Sequence, residues 1–119
     1  MAIKGIFYVF AQVSDLARSK TFYGQTLGWK LNTDEKDVAG FAFGNAYLVI
    51  HASGKLTPPT GASLYVEIQV DDVNAEHKRL KDLGVEVSDP SDQHWGERNF
   101  WFRDPDGHMW FYGQSTHSH

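Results

Sequence analysis

Val13-Ser14-Asp15-Leu16 and Val70-Asp71-Asp72-Val73 are one phrase written twice, 57 residues apart, and Leu27-Gly28-Trp29 returns as Leu83-Gly84-Val85 at an offset of 56. A period of this length is too long for a stacked repeat array and fits two copies of one supersecondary unit. In each copy a strand, Phe7 to Val13 or Leu64 to Val70, runs into a residue suited to capping a helix, Ser14 or Asp71. The first helix is expected from about Asp15 to Leu27, with Leu16, Tyr23 and Leu27 on one face and a stop at Gly28. The second places Val73, Leu80 and Leu83 on one stripe and stops at Gly84, where a left-handed residue is wanted.

Three short extended stretches follow each helix: Trp29 to Asn32, Ala39 to Phe43 and Tyr47 to His51, then Val85 to Val87, Asn99 to Arg103 and His108 to Tyr112. Gly44-Asn45 and Asp106-Gly107 are the turn signals. The expected architecture is therefore α+β, a βαβββ module repeated, with the strands curling into an eight-stranded cup and the helices on its outer face. The half-modules are 1–52 and 63–113 of a single domain, joined by a Gly/Pro/Ser-rich linker at 53–62, with a polar tail at 114–119.

Composition narrows the function. The 119 residues carry 17 aromatics (8 Phe, 5 Tyr, 4 Trp), enough to build a core, and no apolar run long enough for a membrane span. The absence of cysteine removes disulfides, thiolate nucleophiles and iron–sulfur ligation, and leaves cytoplasm as the default compartment. A net charge of −4 without a basic cluster argues against a nucleic-acid partner and mildly favours a neutral or cationic small molecule.

Period-two alternation assigns the strand faces. If Val9, Ala11 and Val13 lie under the first helix, Tyr8, Phe10 and Gln12 point the other way; if Val66, Ile68 and Val70 lie under the second, Tyr65, Glu67 and Gln69 occupy the equivalent open face. Glu67 stands out because a mid-strand carboxylate either meets water or serves, as counter-charge to a cation or as a general base.

The ordered set Val13-Ser14-Asp15-Leu16, Ser19, Phe22-Tyr23, Leu27-Gly28-Trp29, Val70-Asp71-Asp72-Val73, Trp95-Gly96 and Asp104-Pro105-Asp106-Gly107-His108-Met109-Trp110 resembles the vicinal oxygen chelate superfamily. That superfamily contains glyoxalase I, extradiol dioxygenases, fosfomycin resistance enzymes and bleomycin-type resistance proteins. The resemblance implies a divalent metal held at four positions, which fall here on Tyr8, His51, Tyr65 and Phe111. Only His51 is an ordinary donor, and a phenol must lose a proton at considerable cost to ligate. The expectation is therefore no cofactor and no metal, with an altered divalent site as the alternative. In place of the ion stands an aromatic pocket of Tyr8, Phe10, Tyr65 and Phe111, with Gln12, His51, Glu67 and Gln69 as polar points and Trp95 as a lid or a subunit contact.

The expected function is that of a homodimeric, metal-free protein sequestering an aromatic or cationic small molecule, closest in character to the bleomycin- and mitomycin-type resistance proteins. The alternative is a lyase, isomerase or dioxygenase, with Glu67 as a possible base. Of the remaining histidines, His77 is expected to be structural, His108 to lie at the surface, and His117 and His119 to belong to a disordered tail.

Overall fold

The eight strands divide into two four-stranded mixed sheets that repeat one connectivity. The computed structural model describes residues 1–2, 4–52 and 65–116, and the chain forms two compact units, 1–60 and 61–119. The expected linker at 53–62 and the two tail histidines lie outside the described residues.

In unit 1 the elements are β1 (Tyr8–Gln12), α1 (Leu16–Thr21), β2 (Lys30–Asp34), β3 (Val38–Phe43) and β4 (Ala46–His51). Their sheet order is β1-β4-β3-β2, with β1 parallel to β4 and the other neighbours antiparallel. Unit 2 contains β5 (Val66–Gln69), α2 (Val73–Asp82), β6 (Ser91–Gln93), β7 (Glu97–Arg103) and β8 (Met109–Ser115), ordered β5-β8-β7-β6 with the same parallel pair at one edge. The fold is α+β, as the doubled phrase requires.

Both helix caps sit one residue later than the sequence indicates. Asp15 rather than Ser14 accepts the Arg18 N–H at 3.0 Å, and Asp72 rather than Asp71 accepts the Ala75 N–H at 3.0 Å. A carboxylate three residues before the donor reaches the orphan N–H in each case, while Ser14 Oγ is instead taken by the Arg18 guanidinium at 2.9 Å. The first helix is α-helical only to Thr21. It continues as a π turn over Phe22–Thr26, where the Leu27 N–H reaches back to the Phe22 carbonyl at 2.8 Å. The wider turn buries Phe22 and Tyr23 together, with Gly24 against Phe41.

Leu83 does not join the buried stripe. It caps α2 and is exposed, whereas Val73 and Leu80 are fully buried. Gly28 and Gly84 adopt the left-handed backbone that ends each helix. The stretch Val85 to Val87 makes a single bridge, Val87 to Phe102, and the sixth strand is Ser91–Gln93. The last strand runs through Ser115, so Gln114 and Ser115 belong to the sheet, and Gln114 Oε1 takes the Val73 N–H at 2.9 Å.

Each sheet has one helix-covered face. In unit 1 this face carries Ala11, Val13, Ala39, Phe41, Leu48 and Ile50; in unit 2 it carries Phe100, Phe102, Trp110 and Tyr112. Burying these rings and branched chains supplies the main stabilisation, at about 25 cal/mol per Å² of apolar surface removed from water. The opposite faces carry the functional candidates. Among the described residues no helix is long and apolar enough to cross a membrane.

Candidate functional site

The parallel pairing of β1 with β4 builds the open face of unit 1. It sets Tyr8 beside Tyr47, Phe10 beside Val49 and Gln12 beside His51. The alternation read from the sequence holds: Tyr8 and Phe10 are exposed while Ala11 and Val13 are buried. Phe7 departs from it, because the strand begins at Tyr8 and the Phe7 ring is free to stack on Tyr8, centroids 4.2 Å apart and 14° between planes.

These rings border a cleft of about 530 Å³, closed on its far side by Asn32 and Thr33 of β2. Gly40 keeps its floor open, since a Cβ there would stand 3.1 Å from Asn32 Oδ1 and 3.3 Å from Thr33 Cβ. Asn32 itself falls where the β2–β3 register slips. Tyr8 also meets Phe10 at 5.8 Å and Tyr47 at 6.1 Å, both tilted, so the cleft presents several ring faces at different angles.

At the other end of the row, Gln12 Oε1 is buried and has no hydrogen-bond partner among the described residues. His51 lies next to it in register and is buried. A buried amide oxygen without a donor is costly and uncommon, and it is an acceptor awaiting an N–H or O–H.

In unit 2, Tyr65, Glu67 and Gln69 are exposed, and Val66 and Ile68 are half-buried, again matching the expected faces. Phe111 lies in register with Glu67 and Trp101, and its ring meets Tyr65 edge-on at 6.3 Å. Trp95 occupies the β6–β7 turn ahead of Gly96, exposed, with its indole N–H donating to Glu97 Oε1 at 2.7 Å. Asn99, buried in β7, donates from Nδ2 to Glu67 Oε1 at 2.9 Å and to Glu97 Oε1 at 3.1 Å, and its Oδ1 accepts from Gln93 at 3.1 Å.

Although Glu67 as a residue is exposed, its carboxyl end lies against the Gly113 backbone and Glu97. Desolvation of that end pushes the Glu67 carboxyl above the usual carboxylate range. The hydrogen bond to Glu97 and the repulsion from its charge add to this, and the Asn99 amide opposes it.

Sequence reasoning missed Asn32, Tyr47, Glu97, Asn99 and Gly113. Tyr47 lay within an expected strand, and its face follows once β1 is paired with β4. Glu97 and Gly113 fell just outside the expected ends of their strands, so alternation was never applied to them. His108 is half-buried, its side chain 37% exposed, and its ring is bound to Asp104.

The donor set does not fit a divalent ion. Of the four positions the resemblance marks, unit 1 offers buried His51 with the phenol of Tyr8, and unit 2 offers the phenol of Tyr65 with Phe111, which has no donor atom. Among the described residues no group of three or more His, Asp and Glu side chains is placed to hold a metal.

Comparison with known proteins gives concordant matches. The family model described as glyoxalase/bleomycin resistance protein/dioxygenase superfamily matches residues 5–112. The chain is 31% identical over 111 residues to metallothiol transferase FosB of Bacillus licheniformis, covering 89% of this chain and 72% of that protein. Among solved structures, TnmS3, an antibiotic binding protein from Streptomyces sp. CB03234, superposes with a TM-score of 0.83 at 32% identity, covering 97% of this chain and 98% of that one. Lactoylglutathione lyase from Agrobacterium tumefaciens superposes at 0.78 with 18% identity, over 98% of this chain and 97% of that one, a likeness of fold alone.

Proposed function

The chain belongs to the glyoxalase/bleomycin resistance protein/dioxygenase superfamily, and on that premise we propose that it is a binding protein that sequesters a planar aromatic or cationic small molecule without a metal. The observation that carries this reading is the Tyr8–Phe10–Gln12 row. Where the superfamily's enzymes place a metal donor, this strand presents exposed rings over a cleft of about 530 Å³ and ends in a buried, unpartnered acceptor. A cleft of this size and lining suits a small organic ligand. The likeness to an antibiotic binding protein supports the same reading.

Phe10, Tyr8 and Phe7 supply stacking surface and Gln12 a directional hydrogen bond, while Tyr65, Phe111 and Glu67 give the second unit rings beside a carboxylate. The net charge of −4 favours a cationic ligand over an anionic one. The reading includes a cytoplasmic homodimer, checked by sedimentation.

The test is quenching of tryptophan fluorescence across a panel of planar neutral and planar cationic compounds. Saturation at about one ligand per chain, weakened in Tyr8→Ala, supports sequestration. Binding no tighter than millimolar across the panel overturns it.

A further inference from the structure

Two carboxylates on β5 and β7 are held on one amide and over one glycine. The two hydrogens of Asn99 Nδ2 go one to Glu67 Oε1, at 2.9 Å, and one to Glu97 Oε1, at 3.1 Å. The other oxygens of the pair converge above Gly113: from the point where a Cβ would sit, Glu67 Oε2 is 3.1 Å away and Glu97 Oε2 is 3.2 Å away. Neither carboxylate makes an ion pair among the described residues. Two carboxylates this close, without a cation between them, repel as anions and titrate as a pair, holding their last proton more tightly than an isolated glutamate does.

The hydrogen bonds also say where a proton goes. Among the described residues Glu97 Oε1 accepts from both Trp95 Nε1 and Asn99 Nδ2, whereas Glu67 accepts from Asn99 alone. The better-solvated anion is Glu97, which leaves the proton to Glu67.

We infer that Glu67 and Glu97 titrate as one proton-sharing pair whose last proton sits on Glu67, and that its gain or loss switches the charge of this face and the hold on the Trp95 turn. With one proton, the pair is a monoanion whose Glu97 oxygen grips the indole N–H. A second proton, taken up as pH falls, removes the charge that strengthens that bond; loss of the first, as pH rises, sets two anions against each other over Gly113. Among the described residues the other groups on this face are few. β8 brings Phe111, Gly113 and Ser115, and β6 brings Ser91 and Gln93. The turn adds His94, whose ring packs edge-on to Trp95 at 4.8 Å. Tyr65 lies just before the strand that carries Glu67, and Arg103 stands beyond Trp101, over that ring at 5.1 Å and paired with Glu86 at 3.6 Å. The raised position of the Glu67 carboxyl agrees with this arrangement.

The test follows the side-chain carboxyl carbons of Glu67 and Glu97 and the indole N–H of Trp95 by NMR across pH, in the full chain without ligand, so that it is decided separately from the sequestration reading. The expected result is that both carboxyl carbons report the same two steps, the upper one above the ordinary glutamate value, and that the Trp95 resonance moves with them. In Glu97→Gln the two-step pattern collapses to one step at Glu67, lower than the original upper step. Gly113→Ala, whose methyl displaces only the far ends of two flexible side chains, gives the same uncoupling without loss of the fold. Independent single steps in the wild-type protein, or a Glu67 titration unchanged in Glu97→Gln, would overturn the inference.

Discussion

Asp104 and His108 are joined twice: Oδ2 meets His108 Nδ1 at 2.7 Å, and Oδ1 of the same carboxylate takes the His108 backbone N–H at 2.8 Å. Oδ1 also accepts the Asp106 N–H at 3.0 Å, so one fully buried side chain organises the whole β7–β8 turn. The bond to Asp104 holds the imidazole above the ordinary histidine value of 6.5, against the opposing effect of burial.

A group whose pKa is raised on folding stabilises fully below its unfolded value and loses that contribution as pH rises through the folded one. The melting-temperature advantage of the wild-type protein over His108→Asn is therefore expected to be largest in mild acid and to shrink as pH climbs past the raised imidazole value. Asp104→Ala is expected to cost about 2 kcal/mol at neutral pH, because it strands two backbone N–H groups as well as the ring. A difference between wild-type and His108→Asn melting curves that grows with pH refutes the assignment.

The exposed and buried rings of unit 1 separate function from stability. Tyr8→Ala and Phe10→Ala remove rings that are exposed, so stability should change little while affinity for a planar ligand falls about 2- to 30-fold, from ~0.5–2 kcal/mol per stacked ring. Tyr23→Ala empties a fully buried position against Phe22, Trp29 and Phe41 and should cost about 3–5 kcal/mol. Denaturant melts and fluorescence titrations on the three variants give the comparison; equal losses of stability in all three contradict it.

Gln12→Leu should make the protein more stable and a poorer binder. The buried Oε1 has no donor among the described residues, so replacing the amide with an apolar group removes an uncompensated desolvation of about 1 kcal/mol. On the sequestering reading the same change deletes an acceptor for the ligand, and compounds carrying N–H or O–H donors should lose more affinity than those without. A fall in stability would mean that the oxygen is satisfied in solution.

The doubled phrase and the alternation of β1 and β5 made the α+β class, the repeated module and both open faces legible, because Tyr8, Phe10, Tyr65 and Glu67 follow from strand parity alone. Network partners were not legible in the same way. Asn99 reaches Glu67 across 32 residues through the β5–β8–β7 order, which strand parity cannot supply without the pairing register. Nor does helical periodicity announce a π turn, which arises because Phe22 and Tyr23 are buried in succession and Gly24 can approach Phe41. Asp15 and Asp72 outcompete their neighbours as caps by reaching the free N–H of the third helical residue, Arg18 or Ala75, a choice between adjacent capping residues that composition leaves open.

Metal addition is the remaining discriminator between the sequestering reading and an enzyme with an altered centre. A metal at about 100 times its dissociation constant stabilises the folded state by about 2.7 kcal/mol, which a thermal melt resolves easily. With His51 the one ordinary donor among the four positions and Phe111 without a donor atom, three good donors are lacking, so Ni, Zn, Mn, Fe and Co salts are each expected to leave the melting temperature unchanged. The two tail histidines are a separate source of adventitious binding, and the measurement is therefore made on the His117→Ala/His119→Ala variant in parallel. A shift that persists in that variant and disappears in His51→Ala would return the chain to the metal-dependent members of its superfamily.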